Sequence, residues 1–344
     1  MKRQMRLKRV FEKCVWFVRV FVAAKPGSYL WIAVGLLFLT LNLVPAGSTQ
    51  EWMHEFRLRM LSEINRARTS NGVPPVEIDE HACAVAQLHA NDMADGEYFS
   101  HWDRDGLKPY MRYSLAGGYH ALSENLSRTK GIPIERLHEA IVSSYLAEKP
   151  PNDGHRRTLL QRYATHVGIG IATGGMWTYV VQEFVTKLVK LYPLPQFATL
   201  DERLQIAGSV TDGWELHNID VFYEPLPSPM AREELNRRGA YGLPDERKSL
   251  FKLLPPNARY ADGSRGDIVV TDDGSFFSPL PFFANRPGVY TVVVWIKERN
   301  DKVYIPATTA SVFVCRDKSG AENLRRQLSR YAELMPKGFL QGYK

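Results

Sequence analysis

Four residues between positions 101 and 155 have side chains able to do chemistry. They are His101 in FSHWDRDG, Glu124 in SENLS, Glu148 at the end of YLAE and His155 in DGHRRTLL. A neutral imidazole offers a lone pair to a divalent metal, and two imidazoles leave coordination positions open for water or a ligand. A carboxylate beside either ring could orient it through a ring N–H, or act as general base on a bound water. Singly these residues say little, because a loop histidine is usually surface or satisfied core and a glutamate is usually solvated. What they can do depends on the elements that position them.

From Glu51 to about Phe184 the sequence predicts helices alternating with a few strands. Phe56, Met60, Ile64 and Ala67 recur at helical spacing and stop at the turn pair Asn71-Gly72. Asp79 is placed to cap a second helix with Ala82, Val85, Ala86, His89 and Met93 on its inner face. Ile134 to Ala147 reads as a third helix. Residues 166 to 184, HVGIGIATGGMWTYVVQEF, read as two strands joined at Gly174-Gly175, and Gly168 and Gly170 suggest that another element approaches the backbone closely. LVKLYPLPQF (188–197) looks like a linker. Beyond it Ile219, Val221 and Tyr223 alternate, and GDIVVTDDGSFF, PGVYTVVVWIKE and the run from Val303 to Cys315 are strand-like, which predicts a β-sandwich. The charged stretch from Ala231 to Lys252 interrupts that pattern. Residues 321 to 334 predict a short closing helix carrying Leu324, Leu328 and Tyr331.

Taken in order, the helix, HANDMADGEYFSH, DGLKPYMRYSLAGGY, SEN, a further helix, GHRRTLL, HVGIGIA and YVVQEF resemble the bacterial branch of the CAP superfamily, from about Met53 to Phe184. That superfamily includes cysteine-rich secretory proteins, venom allergens and plant pathogenesis-related proteins. The resemblance implies an α-β-α sandwich whose central cleft holds two histidines and two glutamates, carried over as His101, Glu124, Glu148 and His155. Glu148 is assigned because YLAE resembles an aromatic-x-x-Glu stretch of the animal branch, with Glu139 as the fallback. His120, His138 and His166 flank the motifs and read as structural or exposed. Trp102 and Tyr98 read as core packing or a covering of the His rings rather than cleft lining.

The net charge of +7 would suggest nucleic acid until it is located. Eight basic residues against Glu12 within positions 1–25 account for all of it, so the remainder balances to zero and carries no nucleic-acid footprint. Residues 26–50 contain no charged side chain. Their apolar heart, Tyr29 to Ala46, is close to the ~20 residues that cross a ~30 Å hydrocarbon core. The one-sided Lys/Arg excess then predicts a cytoplasmic N-terminus and an exported body. Cleavage of a signal peptide near Ala46-Gly47-Ser48, giving a secreted protein, is the alternative. Cys14, Cys83 and Cys315 fall in different regions, so two buried thiols are expected of the latter pair rather than a disulfide.

The expected fold class is α+β. A basic cytoplasmic segment (1–25), a transmembrane anchor (26–48) and a CAP-like domain (51–190) lead into an immunoglobulin-like β-sandwich (200–318) and a C-terminal helix and tail (319–344). Three functions fit. The first, which is favoured, is a membrane-tethered binding module for an envelope lipid, wall fragment or protein, with a divalent metal, zinc foremost, on His101 and His155. The second is a metal-dependent hydrolase of peptidase or esterase type with Glu124 or Glu148 as base. It has two imidazoles where catalytic zinc usually takes three protein ligands, and no G-x-S-x-G motif accompanies it. The third is a buried polar network that only fixes the cleft's shape.

Overall fold

The computed structural model describes residues 46–334, and everything said of structure below concerns these. The expected basic segment lies outside them, as does nearly all of the expected anchor. Among the described residues no helix is long and apolar enough to cross a membrane.

The first body is an α-β-α sandwich. Helix α1 (Ala46–Ser70) ends one residue before the Asn71-Gly72 turn, where Gly72 has φ +70°. Strand β1 (Glu77–Ile78) follows, then α2 (Glu80–Gly96), capped by Asp79, whose carboxylate accepts the N–H groups of His81 and Ala82. Next come α3 (Pro109–Leu115), β2 (Ala121–Thr129), α4 (Ile134–Ala147), α5 (Gly154–Leu159), β3 (His166–Gly174) and β4 (Trp177–Thr186). The sheet order is β1-β3-β4-β2, with β2 at one edge. Side chains alternate across its faces. Val167, Ile169 and Ile171 share a core with Phe56, Met60 and Ile64 of α1 and with Leu137 and Ile141 of α4. Gly168 and Gly170 face α2 on the other side. A Cβ on either would lie 2.3 Å from a carbonyl carbon of α2, at Ala82 and Ala86 respectively. Only glycine lets the helix lie this close to the sheet.

The second body has two sheets over one core. Strands β5 (Val189–Leu191), β7 (Leu204–Val210), β10 (Val269–Val270) and β11 (Ser275–Leu280) form the smaller, in the order β10-β11-β7-β5. The larger runs β6-β14-β12-β8-β9, built from β6 (Phe197–Thr199), β14 (Ala310–Cys315), β12 (Gly288–Glu298), β8 (Trp214–Glu224) and β9 (Arg247–Leu250), with β13 (Tyr304–Pro306) pairing β12. Ile206 and Phe276 from the first sheet meet Val221, Val292 and Val312 from the second. The expected linker at 188–197 is therefore corrected. Val189 and Leu191 are buried and pair with β7, and only the stretch around Pro193 and Pro195 connects. Cys83 and Cys315 are buried free thiols.

The two bodies also share a core. Leu107, Tyr110, Met111 and Leu115 of the first pack with Phe197, Val289 and Phe313 of the second, and with Leu328 and Tyr331 of the C-terminal segment. That segment is two pieces, α7 (Lys318–Gln327) and α8 (Ser329–Ala332), where the sequence predicted one helix. Arg330 fastens it, reaching Asp92 at 2.8 Å, Asp103 at 2.9 Å and Asp105 at 2.6 Å.

Candidate functional site

The four residues singled out from the sequence line one cleft of about 750 Å³ at the β2 edge of the first body's sheet. His101 follows α2 and Glu124 is central in β2. Glu148 caps the end of α4, and His155 lies in the first turn of α5. Each imidazole is tied to one carboxylate. His101 Nδ1 is 2.8 Å from Glu124 Oε1, and His155 Nδ1 is 2.5 Å from Glu148 Oε1. A neutral ring that donates from Nδ1 keeps its lone pair on Nε2. The His155 ring is held a second time, stacked on Tyr145 with centroids 4.7 Å apart and planes 7° from parallel. Asn125 on β2 donates its amide to the His155 carbonyl at 3.0 Å, joining α5 to the sheet.

Both carboxylates have further work. Glu124 is fully buried at its carboxyl, and its Oε2 accepts from Arg112 at 2.6 Å. Arg112 also donates to the backbone carbonyls of His101 at 2.7 Å and Leu107 at 3.0 Å. Burial alone would push the Glu124 carboxyl up, but the Arg112 guanidinium and the neighbouring imidazoles hold it below the ordinary value. Glu148 Oε2 accepts the Arg156 N–H at 3.1 Å. The fallback Glu139 is exposed on α4, in a separate depression with Pro133 and Arg136. Trp102 is buried among Ala90, Met93 and Tyr98, away from the cleft wall.

Three contributors escaped the sequence reading. Arg112 belongs to α3, whose residues are all buried; a charged residue within YMRYSL was the available signal. Glu183 on β4 lies opposite Glu124 in the strand register. Burial and the charge of Glu124 raise its carboxyl well above the ordinary value, and neither oxygen has a hydrogen-bond partner. Its signal was an acid inside the apolar run YVVQEF. Tyr241 comes from the second body, in the charged stretch that could not be placed. Between α6 (Arg232–Leu235) and β9, residues 238–243 form a wall of the cleft. The Tyr241 ring centroid is 4.9 Å from that of His101, and its hydroxyl accepts the Glu124 N–H at 2.9 Å. Lys108 secures this strap through the Gly242 carbonyl at 3.1 Å and Glu224 at 2.8 Å.

The donor set does not fit a resident zinc. Structural and catalytic zinc sites take three or four protein ligands. Here each carboxylate is engaged with an imidazole and with a second donor, which leaves two Nε2 lone pairs. Among the described residues no group of three or more His, Cys, Asp or Glu side chains is arranged to hold a metal ion.

Comparison with known proteins bears on the same region. The sequence model of the CAP family, described as the cysteine-rich secretory protein family, matches residues 61–184. Uncharacterized protein YkwD of Bacillus subtilis (strain 168) is 28% identical over 134 residues, which cover 38% of this chain and 48% of that protein. The chain thus spans about half the length of the curated relative it matches. Among solved structures, an outer surface protein from Borrelia burgdorferi is 22% identical with a TM-score of 0.32, covering 38% of this chain and 92% of that one. An extracellular protein containing a SCP domain from Bacillus anthracis str. Ames is 24% identical with a TM-score of 0.30, covering 36% of this chain and 38% of that one. Residues 61–184 therefore carry a CAP domain, and the similarity to YkwD falls in the same part of the chain.

Proposed function

We propose that the cleft is a ligand-binding groove, and that the chain is a membrane-tethered, extracytoplasmic binding module for an envelope ligand. The observation that carries this reading is the engagement of both carboxylates. Glu124 is shared between His101 and Arg112, and Glu148 between His155 and the Arg156 N–H, so neither is poised as a general base toward a water in the cleft. The rings meanwhile are fixed in orientation and present their remaining lone pairs, which suits recognition. Export is supported by the uncharged stretch at 26–50 behind a basic segment. The second body, which we read as an immunoglobulin-like sandwich, supplies one wall of the groove through Tyr241.

The test compares the full-length chain with a His101→Ala/His155→Ala variant for binding of lipid vesicles, peptidoglycan fragments and arrayed peptides. Binding to one class that the variant loses is the expected result. Equal binding by both chains removes the groove from the explanation. Turnover of any of the three that vanishes in Glu124→Gln would replace the binding reading with the hydrolase.

A further inference from the structure

The two edges of the first body's sheet are treated differently by the chain. At the β3 edge, beyond the short β1, side chains close the backbone. The Ile169 N–H donates to Cys83 Sγ at 3.2 Å, and its carbonyl accepts from Arg57 Nε at 3.0 Å. At Ile171 the Gln87 amide does both, at 3.1 and 2.7 Å. Capping of this kind blunts an edge against strand addition.

The β2 edge lies along the cleft, which is lined by residues 121–126. Which of its amides point outward follows from the register. The carbonyls of Thr165 and Val167 accept from Glu77 and Asp79 across the β1 pairing. The even-numbered residues of β3 therefore bond to β4, and Val181, Glu183 and Val185 spend their amides on β3. Opposite Val181 and Glu183 on β2 stand Leu126 and Glu124, whose N–H and C=O groups consequently face the cleft, with Arg128 next in the series; the alternation changes phase before Glu124, since the Ala121 N–H also turns outward. The Glu124 N–H bond to the Tyr241 hydroxyl agrees with this assignment.

The chain already adds a strand at the start of this edge. Ala121 N–H donates to the Ala307 carbonyl at 2.9 Å, and Thr309 N–H to the Tyr119 carbonyl at 3.1 Å, around an antiparallel bridge between His120 and Thr308. The added segment leaves at Pro306, which has no N–H and pairs with Trp295 instead. Past that point, one tyrosine hydroxyl takes the place of a strand carbonyl.

We propose that the groove takes a polypeptide in extended conformation, laid as an added strand on the outer edge of β2 over Glu124 to Arg128, where the guest's carbonyl displaces the Tyr241 hydroxyl. This rests on the groove reading above and names its ligand class. Outward amides recur every second residue, about 7 Å apart along a strand. A peptide backbone matches that repeat, whereas an acyl chain would cover the row and leave it unbonded. The guest residue opposite Glu124 faces the His101 side, and its neighbours face the side of Asn125 and His155. A neutral imidazole that donates from Nδ1 offers an acceptor at Nε2, which suits hydroxyl or amide side chains at adjacent guest positions.

The probe is an arrayed library of random decapeptides, applied to the full-length chain. The best binder is resynthesised with N-methyl groups on alternate backbone amides, in each of the two registers. Edge pairing uses every second amide, so one register should weaken binding about tenfold or more and the other little. Tyr241→Phe, which frees the Glu124 N–H, should bind the same peptide severalfold tighter. Equal losses in both registers overturn the added strand. So does a chain that binds vesicles or glycan fragments through His101 and His155 but no decapeptide, an outcome that leaves the groove reading intact. If no probe shows binding sensitive to those two histidines, the groove reading itself falls.

Discussion

Glu124 and Glu183 stand opposite each other on paired strands, and their carboxyls are pushed in opposite directions, Glu124 below the ordinary value and Glu183 well above it. The difference comes from what surrounds each carboxyl. Arg112 and His101 hydrogen-bond to Glu124, whereas both oxygens of Glu183 are buried without a partner. Each buried carboxylate disfavours charge on the other, and the counter-ion lowers the carboxyl it touches.

Glu183→Gln is expected to stabilise the protein at neutral and alkaline pH. The native state keeps a proton that the unfolded chain releases above its ordinary value of 4.5, so stability falls as pH rises beyond 4.5. Each unit by which the carboxyl is raised corresponds to ~1.4 kcal/mol. Urea midpoints of the two chains should agree near pH 4 and separate steadily above it; a constant offset would assign the effect to packing.

His89 acts on the acid side. Burial, with Arg112 nearby, pushes its imidazole down to about 3 from 6.5. The unfolded chain gains a proton below 6.5 that the folded chain refuses, so stability drops as pH falls from 6.5 toward 3. His89→Gln should flatten this limb of the stability profile, measured by the same denaturant series.

Arg112→Met should cost roughly 3–5 kcal/mol, because it leaves the buried Glu124 charge without its partner. Adding Glu124→Gln should recover part of the loss. A double-mutant cycle with no coupling between the two positions would contradict the pairing.

Replacing Arg330 by Ala should release the C-terminal pieces from Asp92, Asp103 and Asp105. Arg330 is about one-third exposed, so the loss is discounted to about 1–3 kcal/mol. Limited proteolysis should then cut within 318–334 well before global unfolding, while the parent chain resists.

Gly168→Ala should destabilise by ~1–3 kcal/mol or more, since the added methyl meets helix backbone rather than a movable side chain. Thermal melts of this variant and of Gly131→Ala, whose Cβ would meet nothing within 4 Å, separate the packing cost at position 168 from the backbone strain that alanine would suffer at φ +71°.

Much of the first body could be read from periodicity. The inner faces of α1 and α2, the Asp79 cap, the limits of α4 and the two close-approach glycines depend on local chemistry that leaves a local trace. The pairing of each histidine with its own glutamate was not legible, because His101 meets Glu124 by the fold of the segment after α2 onto β2, and His155 meets Glu148 by the turn between α4 and α5. Tyr241 was less legible still. It reaches the cleft from more than a hundred positions downstream, in a stretch with neither helical nor alternating pattern, and its place is fixed by Lys108 and Glu224 rather than by its neighbours in sequence. The misplaced linker has a similar origin. Two prolines dominated the reading of 188–197, although the three-residue β5 before them is what burial against β7 requires.

The apolar surface of α3 is finished by Phe313 and Tyr331, residues some two hundred positions away. The segment matched to the CAP family is therefore not a portable piece. Excised at its sequence boundary, it would expose wet leucine and methionine where the intact chain is dry. Transplanting the groove into another protein would require carrying the sandwich and the closing helices along with it.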